Sequence, residues 1–244
     1  MTRDRPAADG ADLARILEAH RLYLESERRD GARADLRGVD LSRMSLVAAD
    51  LRRARLAHAR LDGADCERAN LQGANLAGAS LRDARLRHAD LSKAKLSGAQ
   101  LAAADLAGAR LDQADLEFAL LAEAKLPGAA LCDADLSGAN LAAADLSGAD
   151  LRRANLRGAD LRDARLDGAN LCGARLGGAI LSGASLRGCD LRQAYLRVAK
   201  LDEADLSGAD LRDATGLTLV QIGSAMCDDR TRLPPDLEPG DDHG

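Results

Sequence analysis

Leucine recurs at every fifth residue from Leu36 to Leu211, and this spacing limits what the chain can fold into. Of the 36 positions in the series, 35 are Leu and one is Cys66. Five steps of about 100° would rotate successive leucines by about 140° around an α-helix, so they would form no apolar stripe. In an extended strand, an odd spacing sends consecutive leucines to opposite faces. The chain must therefore turn once in every five residues if each leucine is to face one core.

The other positions of the five-residue unit carry turn chemistry. The residue two positions before the leucine is Ala in 33 of the 36 units, and the residue directly before it is Asp or Asn in 19. Gly occupies the second position after the leucine in 16 units. Asp, Asn and Gly are typical turn residues. Because the other 20 units place larger side chains where Gly could stand, we expect many turns that do not require a positive φ.

The distribution of glycine along the chain predicts the size of one coil. Gly fills the position after leucine in 12 of 18 units at residue numbers ending in 8, but in only 4 of 18 at numbers ending in 3. A coil with three sides would exchange the two kinds of corner on every rung, whereas an even number of sides stacks like on like. Four sides predict a coil of about 20 residues, hence about nine coils and a rod of roughly 43 Å at about 4.8 Å per rung.

Units such as ADLRR at 149–153 resemble those of the pentapeptide-repeat protein family, and the resemblance covers residues 34–213 without interruption. It implies an all-β fold, a right-handed quadrilateral parallel β-helix with the leucine and the preceding small residue pointing inward. We expect an N-terminal segment with a capping helix at 1–33 and the β-helix at 34–214. A C-terminal capping helix followed by a disordered acidic tail should occupy 215–244.

Both ends carry helical patterns that could cover the open sheet edges of the rod. Residues 12–24 show helical spacing of apolar side chains: Leu13, Ile16, Leu17 and Leu24, with His20 on the same side. The sequence TLVQ at 218–221 matches a capping box and predicts a short helix bearing Leu219, Ile222 and Met226. Some gyrase-binding members of the family dimerise through such a helix, so the resemblance also implies a possible homodimer contact at these three residues.

Composition and motifs argue against several classes of function. The net charge is −5 with both signs interspersed, so neither nucleic acid nor an anionic membrane is an expected partner. The N-terminus lacks the apolar stretch of a signal peptide, and no later run is long enough to span a membrane, so we expect a cytoplasmic protein. We find no phosphate-binding loop, metal-binding motif or catalytic triad pattern, and the five cysteines form no CxxC pair. We therefore expect no enzymatic activity and no cofactor.

Charge is banded along the outward positions. Residues 35–100 carry a net charge of +4, residues 101–150 carry −7, residues 151–200 carry +6, and residues 201–214 carry −4. A candidate acidic band consists of Asp105, Asp112, Asp115, Glu117, Glu123, Asp133, Asp135, Asp145 and Asp150. Such a band is either a short DNA-like patch or an ordinary solvated surface.

Apolar residues also interrupt the polar outward positions. With a period of 20, the exceptions fall on one corner of the rod, which forms a candidate interaction surface: Phe118, Leu120, Ile180 and Val198, with Tyr195 on the face leading into it. The leading hypothesis is a non-enzymatic, rod-like interaction or scaffold protein with an unidentified protein partner. The alternative, implied by the resemblance, is a DNA-mimicking modulator of a type II topoisomerase such as DNA gyrase.

Overall fold

The computed structural model describes residues 10–27 and 29–237. Helix α1 spans Gly10–Glu25 and helix α2 spans Leu219–Ser224. Between them, each five-residue unit contributes one residue to isolated parallel β-bridges, beginning with Asp35↔Arg55 and continuing to Tyr195↔Thr215. Every bridge in this series joins residues 20 apart. One coil thus contains four units and four turns, while the right-handed sense and the count of nine coils stay predictions.

Hydrogen bonds along the backbone join each coil to the next in the same pattern. The N–H of Arg55 donates to the carbonyl of Ala34 at 2.9 Å, and the carbonyl of Arg55 accepts from the N–H of Leu36 at 2.7 Å. Within the unit, the N–H of Val39 donates to the carbonyl of Leu36 at 3.2 Å and closes a β-turn. This turn bond recurs in all 36 units. Each coil is therefore held by its neighbours and by its own four corners.

The turns differ from our expectation at the second residue after each leucine. This residue has a positive φ in all 36 units, and 20 of them are not glycine, with φ between 53° and 61°. The expectation that many turns avoid a positive φ is wrong. The reason lies between the coils: the N–H of Arg43, for example, donates to the carbonyl of Asp62 at 2.9 Å. Bonds of this kind set the backbone geometry, although a left-handed conformation costs a non-glycine residue roughly 1–2 kcal/mol.

The preference for Asp and Asn before the leucine has a direct structural cause. The residue directly after each leucine has an N–H that the bridge and turn bonds leave unused. In all 19 units with Asp or Asn, the side-chain oxygen accepts this N–H, as Asp40 does from Ser42 at 2.9 Å and Asn75 does from Ala77 at 3.1 Å. These residues therefore act first as local turn acceptors.

The core is a single column of leucine and alanine. Nearly all of the inward Leu and Ala side chains are buried and form one cluster with Leu13 of α1. Cys66 replaces a leucine and Cys189 replaces an alanine, and burial raises the pKa of both thiols to about 12. These two cysteines therefore behave as small core residues.

Helix α1 covers the first coil, as its spacing predicts. Leu13 is buried, and Ile16 and Leu17 pack against the core. His20 is fully buried: its Nδ1 accepts from the N–H of Ala34 at 3.1 Å, and its Nε2 lies 3.1 Å from the carbonyl of Arg52. Because Nδ1 accepts, Nε2 carries the proton and donates, so the ring is neutral. Burial lowers the pKa of His20, which favours this neutral form.

Helix α2 covers one side of the last coil. Thr218 is its N-cap, with Oγ1 accepting from the N–H of Gln221 at 3.3 Å. The Gln221 amide does not return to the Thr218 N–H as in a full capping box. It donates instead to the carbonyls of Leu196 and Ala199 at 3.1 and 2.8 Å. The helix is thus attached to the rod through two backbone carbonyls of one turn near its C-terminal end.

The prediction that Met226 lies on this helix is wrong. Helix α2 ends at Ser224, and Met226 forms a parallel bridge with Asp205. Its N–H donates to the carbonyl of Ala204 and its carbonyl accepts from Leu206, both at 2.8 Å, because this extended segment continues the pairing of the last coil. Pro234 is buried and accepts from the N–H of Leu237 at 2.9 Å. The predicted disordered tail falls, from residue 238 onward, outside the described residues.

Candidate interaction surfaces

The apolar corner is divided into two groups along the rod. Phe118 and Leu120 lie in one coil, with 63% and 44% of their surface exposed. Ile180, Tyr195 and Val198 lie further along, and Val198 is 71% exposed whereas Ile180 and Tyr195 are half-buried. The bridges Leu120↔Asn140, Asn140↔Asp160 and Asp160↔Ile180 separate the two groups by three rungs, about 14 Å. The structure therefore brings the predicted residues together as two small patches on one corner.

Phe118 packs against the next coil over a glycine. A Cβ built on Gly138 would lie 2.5 Å from Cε1 of the Phe118 ring. The same arrangement places the rings of His58 and His88 over Gly78 and Gly108. The side chain of a bulky turn residue thus extends parallel to the rod axis, over the next coil, where the residue 20 positions later is glycine. Packing over glycine therefore accounts for the positions of His58 and His88, which lie at different corners and in different coils.

An alanine-rich face next to Leu120 was missed by the sequence analysis. Three successive coils place alanine at turn positions that elsewhere carry long polar side chains, beside the stacked residues Gln100, Leu120 and Asn140. We call these residues, with Phe118 and Leu120, the alanine face: Ala102, Ala103, Ala122, Ala142 and Ala143. Its signal in the sequence is the pair of LAAAD segments 40 residues apart, which the period of 20 places on one side.

Ion pairs cancel much of the surface charge within single units. Where Asp precedes the leucine and Arg follows it, the guanidinium binds the carboxylate through Nε and an Nη, as Arg152 does to Asp150 at 2.8 and 2.6 Å. The same fork occurs at Asp35–Arg37, Asp50–Arg52, Asp160–Arg162, Asp190–Arg192 and Asp210–Arg212. The Arg152 hydrogen bond lowers the pKa of Asp150, so this carboxylate stays ionised. Most of these charges are therefore neutralised by an opposite charge in the same unit.

The candidate acidic band is not one patch. Five of its nine residues are turn acceptors for a backbone N–H: Asp105, Asp115, Asp135, Asp145 and Asp150. Asp133 is bound by Arg153 from the following coil at 2.7 and 2.8 Å, and this contact lowers its pKa. Asp112 lies 3.9 Å from Arg110. Glu117 and Glu123 lie on different corners, so the band is distributed around the rod.

One face shows alternating charges along the rod axis. Successive bridges pair opposite charges in the order Asp65, Arg85, Asp105, Lys125, Asp145 and Arg165. Opposite charges at neighbouring positions of a sheet stabilise it modestly, and they also cancel the field outside it. This face therefore presents no net negative strip.

The remaining candidate groups are the cysteines and the side chains that could bind a metal ion. All five cysteines are free, and Cys132 and Cys172 are half-buried. Among the residues that the structure describes, no group of three His, Cys, Asp or Glu side chains could hold a metal ion. None of the described helices is long and apolar enough to cross a membrane.

The three predicted contact residues at the C-terminal cap differ in how exposed they are. Ile222 packs against the core, whereas Leu219 and Met226 are 66% and 53% exposed. Val220, which the sequence analysis did not single out, is 82% exposed beside Leu219. Leu219 and Val220 therefore form the exposed side of α2.

Comparison with known proteins agrees with this architecture. The family profile described as pentapeptide repeats matches in eight copies, over residues 32–65, 64–101, 99–138, 139–178 and 179–215. The chain belongs to the pentapeptide repeat family. A comparison of this pentapeptide repeat protein with curated protein sequences found no match.

Similar solved structures are themselves pentapeptide repeat proteins. HetL, involved in heterocyst differentiation regulation in the cyanobacterium Nostoc sp. strain PCC 7120, is 38% identical, with 86% of this chain and 93% of HetL covered and a TM-score of 0.36. A trypsin-treated form of QnrB1, a plasmid-mediated fluoroquinolone resistance protein, is 20% identical, with 68% and 87% covered and a TM-score of 0.51. At that identity the likeness to QnrB1 concerns the fold alone.

Proposed function

We propose that this pentapeptide repeat protein is a non-enzymatic scaffold, a right-handed β-helix of nine coils that binds a protein partner through the alanine face. The exposure of Phe118 and Leu120 on that face is the observation that carries the proposal. Phe118 and Leu120 are large and exposed beside five small alanine side chains. Contiguous exposed apolar patches mark interaction sites.

The surroundings of the alanine face support a docking role. Glu117 lies beside Phe118 at one corner of the face, and Glu123 occupies the turn position between Ala103 and Ala143 at the other corner. The face therefore combines apolar side chains with a few polar ones, as protein interfaces do. The three coils of the face span about 14 Å, so a stable complex of roughly 800 Å² per partner needs contacts beyond it. The second apolar group, at Ile180 and Val198, lies on the same corner.

The test compares two double variants of equal charge. Phe118→Asp with Leu120→Asp changes the alanine face, and Val47→Asp with Leu22→Asp changes exposed apolar residues elsewhere, at 50% and 42% exposure. Asp is tolerated at position 118 because Asp133 has the same left-handed backbone at a corresponding turn. Circular dichroism should show that both variants keep the wild-type β signal.

Quantitative affinity capture should identify a protein that binds the wild type and the control variant but not the face variant. Titration of the purified partner against all three proteins should then show at least tenfold weaker binding for the face variant alone. Sedimentation velocity on the same proteins tests whether that partner is a second copy of this chain. Equal binding to both variants, or the absence of any partner together with a monomer at all concentrations, would contradict the proposal.

A further inference from the structure

A cluster of positive side chains surrounds the corner at Gly73. Arg53 and Lys93 occupy the same turn position one coil before and one coil after Gly73. The neighbouring residue Asn75 pairs with the residues 20 positions before and after it, in the bridges Arg55↔Asn75 and Asn75↔Lys95. Two pairs of long cationic side chains thus flank a floor made of one glycine and one amide.

The corner forms a real depression in the surface. A cleft of about 440 Å³ is lined by Arg33, Arg37, Arg55, Gly73, Asn75 and Lys95, a lining without a carboxylate. The missing side chain at Gly73 leaves this space open, since a Cβ there would meet only Cγ of Arg53, at 3.7 Å. The volume lies within the range of small-ligand sites, about 300–1,000 Å³.

Most cations of this cleft have no carboxylate of their own to pair with, unlike the arginines of the forked pairs. Asp35 is held by Arg37 at 2.6 and 2.8 Å and lies 3.7 Å from Arg55. Within residues 10–27 and 29–237, no carboxylate lies within 4 Å of the charged groups of Arg33, Lys93 or Lys95. The cleft and its flanks therefore hold six cations and one carboxylate: Arg33, Arg37, Arg53, Arg55, Lys93 and Lys95 against Asp35.

Two further carboxylates bound the cluster without entering it. Glu27 lines an adjacent cleft together with Arg53, and lies 3.5 Å from Arg29. Asp115 follows Lys95 in the next rung, where its oxygen accepts from the N–H of Glu117 at 3.2 Å. The excess of positive charge is thus confined to the cleft and its flanks.

We propose that this cleft binds a small molecule bearing a phosphate group. Guanidinium groups bind phosphate oxygens through paired N–H donors, and Lys95 supplies a compact positive charge. Asn75 uses its carbonyl oxygen for the N–H of Ala77, which leaves its amide NH₂ group as a donor beside Gly73. The site is independent of the alanine face and therefore of the proposed scaffold role.

The test uses inorganic pyrophosphate as the probe and isothermal titration calorimetry in 150 mM NaCl. The wild type should bind one pyrophosphate per chain. Gly73→Asp should weaken binding about tenfold or more, because a carboxylate at this corner would pair with Lys93 as Asp133 pairs with Arg153. Gly73→Asn has the same shape without the charge, and should retain binding within about threefold.

A second pair of variants separates the cleft from the overall charge of the rod. Arg55→Ala with Lys95→Ala should abolish binding, whereas Arg157→Ala with Arg197→Ala removes the same charge from exposed positions elsewhere and should leave it unchanged. The proposal is overturned if the wild type shows no saturable binding, or if Asp and Asn at position 73 weaken binding equally. It is also overturned if duplex DNA competes with a steep salt dependence that both double variants reduce to the same extent.

Discussion

Replacing Gly138 by alanine should lower the stability of the rod more than replacing Gly148. The two glycines have nearly the same left-handed backbone, with φ of 63° and 64°. They differ in what a new Cβ would contact: nothing within 4 Å at Gly148, but the Phe118 ring at 2.5 Å at Gly138. The pair therefore separates the cost of the backbone conformation from the cost of displacing a side chain.

The magnitudes follow from geometry. Alanine in the left-handed region costs about 1–2 kcal/mol at either site. At Gly138, the Phe118 ring must also leave its position. It is 63% exposed, so roughly a third of a side chain of about 200 Å² is in contact, worth about 2 kcal/mol at most. We expect an additional loss of about 1 kcal/mol for Gly138→Ala, which lowers the melting temperature by a further 2–4 °C for a chain of this length.

Thermal melting by circular dichroism on four variants measures the two contributions: Gly138→Ala, Gly148→Ala, Phe118→Ala and the Phe118→Ala, Gly138→Ala double variant. Removal of the ring should leave only the backbone cost at position 138, so the double-mutant cycle should show a coupling of about 1 kcal/mol. Equal melting temperatures for the two glycine variants would refute the reasoning. So would an extra loss at Gly138 that persists when Phe118 is alanine.

Two further predictions concern His20 and the gyrase alternative. Burial lowers the pKa of His20, so the unfolded chain binds more protons than the folded chain. The stability that neutral His20 contributes is therefore present above its unfolded pKa of about 6.5, and it is lost as the pH falls through the lowered folded value. His20→Asn should therefore reduce the change in melting temperature between pH 7 and pH 5, and an unchanged pH profile would contradict this. Purified protein at micromolar concentration should leave gyrase supercoiling unchanged, because a 43 Å length of B-DNA carries about 25 negative charges and the repeat carries a net charge of −1. Inhibition that weakens on charge reversal of Asp112, Asp115 and Glu117 would instead establish the DNA-mimic alternative.

The period of the leucines predicted a turn in every unit, and the distribution of glycine predicted the coil of about 20 residues that the bridges show. The turn conformation could not be predicted in the same way. Its φ is set by bonds such as that from Arg43 to Asp62, which join residues of successive coils and leave no trace in a single unit. Met226 was placed on a helix for a related reason: its spacing fits α2, but free hydrogen-bonding groups on Ala204 and Leu206 draw it into an extended segment.

The candidate surfaces were only partly predictable. Residue numbers taken with a period of 20 placed Phe118, Leu120 and Val198 on one corner, and the bridges between residues 20 apart have that period. That this corner binds a partner stays a prediction. The same arithmetic could have paired Asp133 with Arg153, but not the five band carboxylates with backbone N–H groups, since that contact depends on the turn geometry. Counting charges along the chain therefore overstated how much negative charge is available to a partner.

Because each coil already uses its backbone groups and many of its charges, the surface of this rod offers a partner few unsatisfied groups. The bridges and turn acceptors leave the coils without a free edge except at the ends, where α1, α2 and the segment around Met226 cover them. Forked pairs such as Asp150–Arg152 cancel their charges within a single unit. Recognition must then depend on places where this regular pairing fails. On the alanine face, alanine replaces most of the long polar side chains of the turns, and the cleft at Gly73 with its flanks has one carboxylate for six cations. These two regions are therefore where substitutions should change binding without changing the fold.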